Sequence, residues 1–309
     1  MKDLDRIRVA VLMGGPDEEH EVSLASGSAV AAALARVDGI EVESRVIDTI
    51  DAEALLRLEA DVIFPVLHGP WGEGGGIQRE LEQAGVPFVG SGTRASAIAM
   101  DKVRTKELAA ELGVATPAWQ VLEHGTERAL AAPAVLKPPA QGSSIDLFIC
   151  RSEDQLKHHR AQLHRSYETV LAEACITGRE VTVGVVGDAT LPLVEIIPAD
   201  GFYDYDAKYN RDDTEYRVDP DLPDLLTEAC RCNALAIGRA LGCRDLYRVD
   251  FIVDEQLPWM LEVNTMPGFT DHSLLPMAAR AGGQSMESLC HDLVRMAATR
   301  AMGEPTTRR

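Results

Sequence analysis

Residues 7–15, IRVAVLMGG, form an apolar run, interrupted only by Arg8, that ends in two glycines and passes within a few residues into EVSLASGSAVAAALARV. A short apolar run bounded by glycine reads as a buried strand, and Val, Leu and Ala recurring at helical spacing read as an amphipathic helix. EVESRVID and ADVIFPVLHG continue as strands, IQRELEQAG as a helix stopped by Gly85, and VPFVGSG as a fourth strand. Alternation of this kind calls for a small parallel sheet, so residues 1–91 are expected to form an N-terminal parallel α/β domain.

The pattern then changes. TRASAIAMDKVRTKELAAELG is a long helix, PAVLKP and SIDLFIC are closely spaced strands, and SEDQLKHHRAQLHRS is a polar helix. TVLAEAC, REVTVGVVG and LPLVEIIPA follow as strands, then the helix LLTEACRCNALAIGRALG, the strands YRVDFIVD and PWMLEVNT, and two terminal helices. A chain of 309 residues exceeds what one core usually supports. Two or three subdomains are expected in all. Residues 200–223 carry Gly, Asp and Tyr without periodicity, and a loop that long is expected to act as a lid.

Charge narrows the partners. With 49 acidic against 30 basic residues the formal charge is −19, and no basic run offsets it, so nucleic acid is excluded as a partner. A small anion carried with a metal ion in a local pocket is still allowed. No apolar stretch approaches a membrane span, and the charged start MKDLDRIRV does not read as a secretory signal. The six cysteines show no zinc-ligand spacing and are expected as free thiols in the cytoplasm.

Several residue sets carry chemistry. Gly90-Ser-Gly92-Thr-Arg-Ala95 imitates a dinucleotide fingerprint but follows the wrong strand, and reads as a structural turn. Gln141-Gly-Ser143-Ser144 follows Lys137 in a hairpin whose amides and hydroxyls can wrap phosphates. Arg248 and Asp250 are two apart on one strand, as are Glu262 and Asn264 on the next. Residues two apart share a strand face, so pairing of these strands would gather two carboxylates, an amide oxygen and an arginine. Such hard oxygen donors suit magnesium. Gly268 can offer a bare N–H to an oxyanion beside Arg248. Ser273 and Leu274 open a helix, where a carboxylate can bind or Ser273 can act as a cap. Glu19 lies in the first strand–helix loop, where an acid can pair with a substrate ammonium or simply cap a helix. Lys208 and Tyr209, in FYDYDAKY, fall within the expected lid.

Taken together, GGPDEEHEVSLASG, PVLHGPWGEGGGIQ, GSGTRASAIAMDKVRTK, LKPPAQGSS, GREVTV, FYDYDAKY, RVDF and LEVNTMPGFTDHSL resemble the D-alanine–D-alanine ligases of the ATP-grasp superfamily, in the family's order and over residues 8–295. The resemblance implies a three-domain ATP-grasp fold with the nucleotide held between the central and C-terminal domains. It implies a two-step reaction, in which ATP phosphorylates one D-alanine carboxylate and the amine of a second displaces phosphate, supplying a peptidoglycan precursor. It implies that Lys102, Lys137 and Ser144 contact ATP phosphates, with Lys208 reaching the γ-phosphate. Glu173, Ala174 and Ile176 would meet adenine and Glu180 the ribose. Asp250, Glu262 and Asn264 would hold two Mg2+ ions, with Mn2+ as a substitute. Glu19 and His68 would bind the first D-alanine, Arg248 and Gly268 would form the oxyanion hole, and Ser273 and Leu274 would take the second carboxylate. Ser143 and Tyr209 would fasten the lid with Glu19, and a tyrosine at 209 goes with an amine as second substrate. A homodimer is implied as well. Alternatives are a ligase for another amino or hydroxy acid and a nucleotide-binding paralogue without turnover. Three departures stand out: Asp146 for the glycine of GSSxG, Gly74 for the acid of HGxxGEDG, and Asp245-Leu-Tyr247 where glycines usually precede RVD. Each is expected to crowd or weaken the nucleotide site.

Overall fold

The computed structural model describes residues 6–142, 145–198 and 213–303. Its first sheet has three parallel strands in the order Ile40–Ile47, Ile7–Gly14, Val62–Pro65. The central strand is buried on both faces, and its side chains alternate between two cores. Val9, Val11 and Met13 point to one side, where the helix His20–Leu34 covers them. Ala10 and Leu12 point to the other, against Ile77 and Leu81 of the helix Gly76–Ala84. The first of these cores is completed from the far end of the chain, by Leu289, Leu293 and Val294 of the helix Met286–Gly303 and by Phe269, which meets Phe64 edge-on at 5.5 Å. The fourth strand expected around 86–89 reduces to one bridge, Ile63 with Phe88. Pro87 offers only its carbonyl there, and the chain turns away at Gly90 with φ +102°.

The second sheet is antiparallel, in the order Trp119–Leu122, Val170–Ala174, Ala134–Lys137, Phe148–Cys150, and the helix Glu153–Leu163 packs Leu156 and Leu163 against it. The third sheet runs Glu215–Val218, Val194–Ile197, Arg179–Val186, Leu246–Val253, Pro258–Asn264, all antiparallel, with Ala189–Thr190 pairing Arg179–Val186. One face of this sheet packs Tyr247, Val249, Phe251 and Val253 against Cys230, Ala234 and Ile237 of the helix Asp224–Leu241. Strand periodicity therefore turns Arg248, Asp250 and Ile252 to the opposite face. That face looks toward the second sheet across a cleft.

Candidate nucleotide and substrate site

The edge strand Pro258–Asn264 pairs with its interior neighbour Leu246–Val253 as the site requires. Arg248 stands opposite Asn264 and Asp250 opposite Glu262, with a bulge immediately after that pair. The bulge leaves the Asp250–Glu262 pair at a local bend, a common way to aim side chains at a ligand. Arg248 donates to both oxygens of Asp250 at 2.9 Å from Nε and Nη2, and Thr182 donates from Oγ1 to Asp250 at 2.5 Å. Glu262 lies 3.1 Å from the ammonium of Lys102, and Asn264 accepts the Met266 N–H at 3.1 Å.

The cleft between the second and third sheets holds a cavity of about 780 Å³. Lys102, Lys137, Glu173, Ala174, Ile176, Glu180, Asp250 and Glu262 all line it, joined by apolar side chains such as Val135, Ile149 and Ile196. An apolar slot with a few charged groups at one end matches a ligand with a flat aromatic part and a polyanionic part. Lys102 Nζ also donates to the Gln141 carbonyl at 2.6 Å, which brings the hairpin after Lys137 over the cavity. Ser143, Ser144, Lys208, Tyr209 and most of the 200–223 stretch lie outside the described residues.

Glu173 lines the cavity and also has cationic partners of its own. Its carboxylate is almost fully buried and forms ion pairs with Lys106 at 2.5 Å and Lys137 at 2.6 Å. Burial by itself would raise its pKa, but the two ammonium groups hold it below the usual carboxylate range. Lys106 has no exposed surface, and burial pushes its pKa down to about 8 despite Glu173. It also donates to Thr116 Oγ1 at 2.6 Å, which in turn donates to the Met260 carbonyl at 2.8 Å. The sequence offers no sign of this, because a lysine on a mixed helix reads as solvated.

A second set of buried polar groups lies in the first strand–helix loop and in the segment after Val62–Pro65. Glu19, His68 and Glu73 are all buried. Glu19 is the N-terminal residue flanking its helix, yet its side chain makes no capping bond. A Cβ on Gly142 would come within 3.1 Å of Glu19 Oε2, so the hairpin reaches this acid. Burial lowers the pKa of His68, and its Nε2 has no hydrogen-bond partner among the described residues. Burial and then the Glu19 charge push Glu73 up to about 8, against the opposing pull of the Gly69 N–H and Arg248. Sequence reasoning misses Glu73, which stands inside the HGPWGEGGG motif; its one signal is its place five residues after His68. Gly268 lies so near Ser273 that a Cβ would fall 2.8 Å from its Oγ. Ser273 makes no side-chain cap to the helix Leu274–Ala281; its Oγ accepts the Thr270 N–H at 2.9 Å, and Leu274 is buried.

The three departures do not crowd the cavity. Tyr247 points to the opposite sheet face, where its hydroxyl donates to the Ala234 carbonyl at 3.3 Å and Gly238 leaves room for its ring. Asp245 is held by Arg300 and accepts the Gly90 N–H at 2.8 Å, which ties the Gly90 segment to the start of the strand Leu246–Val253. Gly74 has no space for a side chain, since a Cβ would sit 2.3 Å from the Pro70 carbonyl oxygen. Asp146 adopts φ +55° and accepts a hydrogen bond from Tyr167 at 2.7 Å.

Known proteins resemble the chain over nearly its whole length. The family models described as D-ala D-ala ligase N-terminus and C-terminus match residues 41–91 and 108–295. The chain is 40% identical over 302 residues to a D-alanine–D-alanine ligase of Syntrophotalea carbinolica, covering 97% of this chain and 99% of that protein. It is 43% identical over 289 residues to D-alanine–D-alanine ligase B of Chromobacterium violaceum, covering 92% and 95%. The solved structure of the Bacillus anthracis D-alanine–D-alanine ligase complexed with ATP superposes with a TM-score of 0.82 at 29% identity, over 95% of this chain and 98% of that one.

Proposed function

The chain belongs to the D-alanine–D-alanine ligase family, whose members join two D-alanines at the expense of ATP, and from that premise we propose how its own residues divide the work. The enzyme is an ATP-dependent ligase with the ATP-grasp fold, and its product feeds peptidoglycan synthesis. The observation that carries the assignment of roles is the single sheet face on which Arg248, Asp250, Glu262 and Asn264 converge beneath a lysine-lined cavity.

In this reading ATP lies in the cavity, with adenine between the apolar walls near Ala174 and Ile176 and the ribose at Glu180. Lys102 and Lys137 neutralise the phosphates; Ser144 and Lys208 complete that set. Glu173 would meet adenine from its place in the cavity lining, and it fixes the Lys137 ammonium at 2.6 Å. Two carboxylates and an amide oxygen on one face fit magnesium, which keeps positions open for phosphate oxygens. Asp250, Glu262 and Asn264 would hold two such ions, or Mn2+ in their place. When bound, the metal offsets the charge of phosphoryl transfer to the first carboxylate.

Glu19 and His68 would orient the first D-alanine, with the unpartnered Nε2 of His68 available to it. Arg248 and the N–H of Gly268 would stabilise the oxyanion formed when the second amine attacks. Ser273 and the Leu274 N–H would take the second carboxylate. Ser143 and Tyr209 would close the lid toward Glu19, and Tyr209 favours an amine over a hydroxy acid. The division into domains 1–91, 92–172 and 173–309 belongs to the same proposal, as do a cytoplasmic setting and a homodimer. No helix among the described residues is long and apolar enough to cross a membrane.

The test is phosphate release with ATP, magnesium and D-alanine, compared with L-alanine and D-lactate. Release that depends on D-alanine, with the dipeptide found by mass spectrometry, is expected. Equal release with D-lactate and a depsipeptide product would overturn the role of Tyr209. Normal turnover by Glu262→Ala would overturn the metal assignment.

A further inference from the structure

We propose that Tyr167 is a positioning residue for ATP: its hydroxyl holds the Asp146 carboxylate on the outer side of the hairpin after Lys137, away from the phosphates. The inference rests on the nucleotide assignment above and concerns the pair Tyr167 and Asp146.

The geometry has three parts. Ile145 and Leu147 both line the cavity, whereas the side chain of Asp146 between them turns the other way and accepts the Tyr167 hydrogen bond at 2.7 Å. Asp146 sits at φ +55°, a left-handed conformation that Asp tolerates better than most residues with a Cβ. The donor is anchored in the core of the central domain. Tyr167 follows the helix Glu153–Leu163, its N–H donates to the Leu163 carbonyl at 2.9 Å, and its ring packs against the apolar cluster under the second sheet.

The hairpin so held is the one that meets the site. The Gln141 carbonyl takes Lys102 Nζ, and Gly142 lies against Glu19. A glycine at 146 would bring no charge to it. Asp146 brings one, and a carboxylate rotated inward would repel the triphosphate through a partly desolvated space. Burial, followed by the Asp146 and Glu18 charges, raises the Tyr167 phenol to about 12, so it remains a donor across the physiological range.

The experiment measures equilibrium binding of magnesium with a non-hydrolysable ATP analogue, and of adenosine, to the parent, Tyr167→Phe, Asp146→Asn and the double variant. Tyr167→Phe keeps the ring and removes the tether; Asp146→Asn keeps the shape and the tolerance of positive φ but removes the charge. Tyr167→Phe is expected to weaken the ATP analogue about three- to tenfold while leaving adenosine unchanged, because only the phosphates feel the charge. The double variant is expected to bind the analogue as the parent does. No change in Tyr167→Phe, equal weakening toward adenosine, or no recovery in the double variant would each overturn the proposal. Lys137→Met separates this from the underlying assignment: it weakens the analogue if the nucleotide binds here, even where the tether fails. If Lys137→Met is silent, the site assignment falls and the tether with it.

Discussion

Glu73 is the group whose titration should be visible in folding stability. It is buried beside Glu19, and its pKa rises from 4.5 to about 8. The folded protein therefore holds a proton on Glu73 that the unfolded chain releases above pH 4.5. By linkage, stability falls with rising pH wherever the folded state binds more protons. The contribution is fully present below pH 4.5, is lost through the interval up to about pH 8, and stays lost above it. A displacement of about 3.5 units at 1.36 kcal/mol per unit corresponds to about 5 kcal/mol over the whole window, and to about 3 kcal/mol between pH 5 and pH 8. Glu73→Gln imitates the protonated form and keeps an oxygen for the Gly69 N–H. Urea denaturation of the parent and of this variant, at half-unit steps from pH 5 to pH 8.5, isolates the effect, because the remaining groups titrate in both and drop out of the difference. The variant should gain on the parent by about 3 kcal/mol from pH 5 to pH 8. A difference that stays flat, or that shrinks with rising pH, would refute the argument that burial keeps Glu73 protonated.

Three further outcomes follow from the same geometry. Glu262→Gln should lower kcat by at least about 100-fold while circular dichroism and Tm stay near the parent's, since it removes an anionic donor from the metal face and only a partly exposed ion pair from the fold. Glu173→Gln leaves Lys106 and Lys137 buried without their shared carboxylate, and should cost about 3–5 kcal/mol in urea denaturation as well as weakening ATP. Gly238→Ala places a Cβ 2.1 Å from the Tyr247 ring and should cost about 1–3 kcal/mol, read as a fall in denaturation midpoint with KM for ATP unchanged.

What could be read from the sequence was whatever depends on short-range periodicity. Arg248 and Asp250 share a face because they are two apart, and the same rule, applied to Tyr247, already turned it away from that face; the bulk near the site was only apparent. Partners distant along the chain were not legible. Asp245 meets Arg300, 55 residues later, and nothing in the local pattern of either announces it. Lys106 is buried because Glu173, far along the chain on a strand of the second sheet, stands against its helix, and the same residue on a surface helix would look identical in sequence. The strand expected at 86–89 failed for a local reason, Pro87, that the sequence did contain.

The pairings in the cavity also bear on how a chain of charge −19 can take up a polyanion. Its carboxylates are not left as bare negative charge: Glu262 faces Lys102 at 3.1 Å, Asp250 is clasped by Arg248, and Glu173 lies between Lys106 and Lys137. Each cation assigned to phosphate among the described residues already has a carboxylate neighbour, so the two charges are held in place at little net local charge. On the roles proposed above, a metal-bound triphosphate would ask for an exchange of partners, with Glu262 turning from the Lys102 ammonium to the metal and Lys102 to phosphate. An exchange of that kind would need side-chain rotation rather than desolvation of new groups, and would leave the site with little attraction for free metal or free phosphate alone. The overall negative field works against the nucleotide only at long range, where about 8 Å of screening at physiological salt removes most of it.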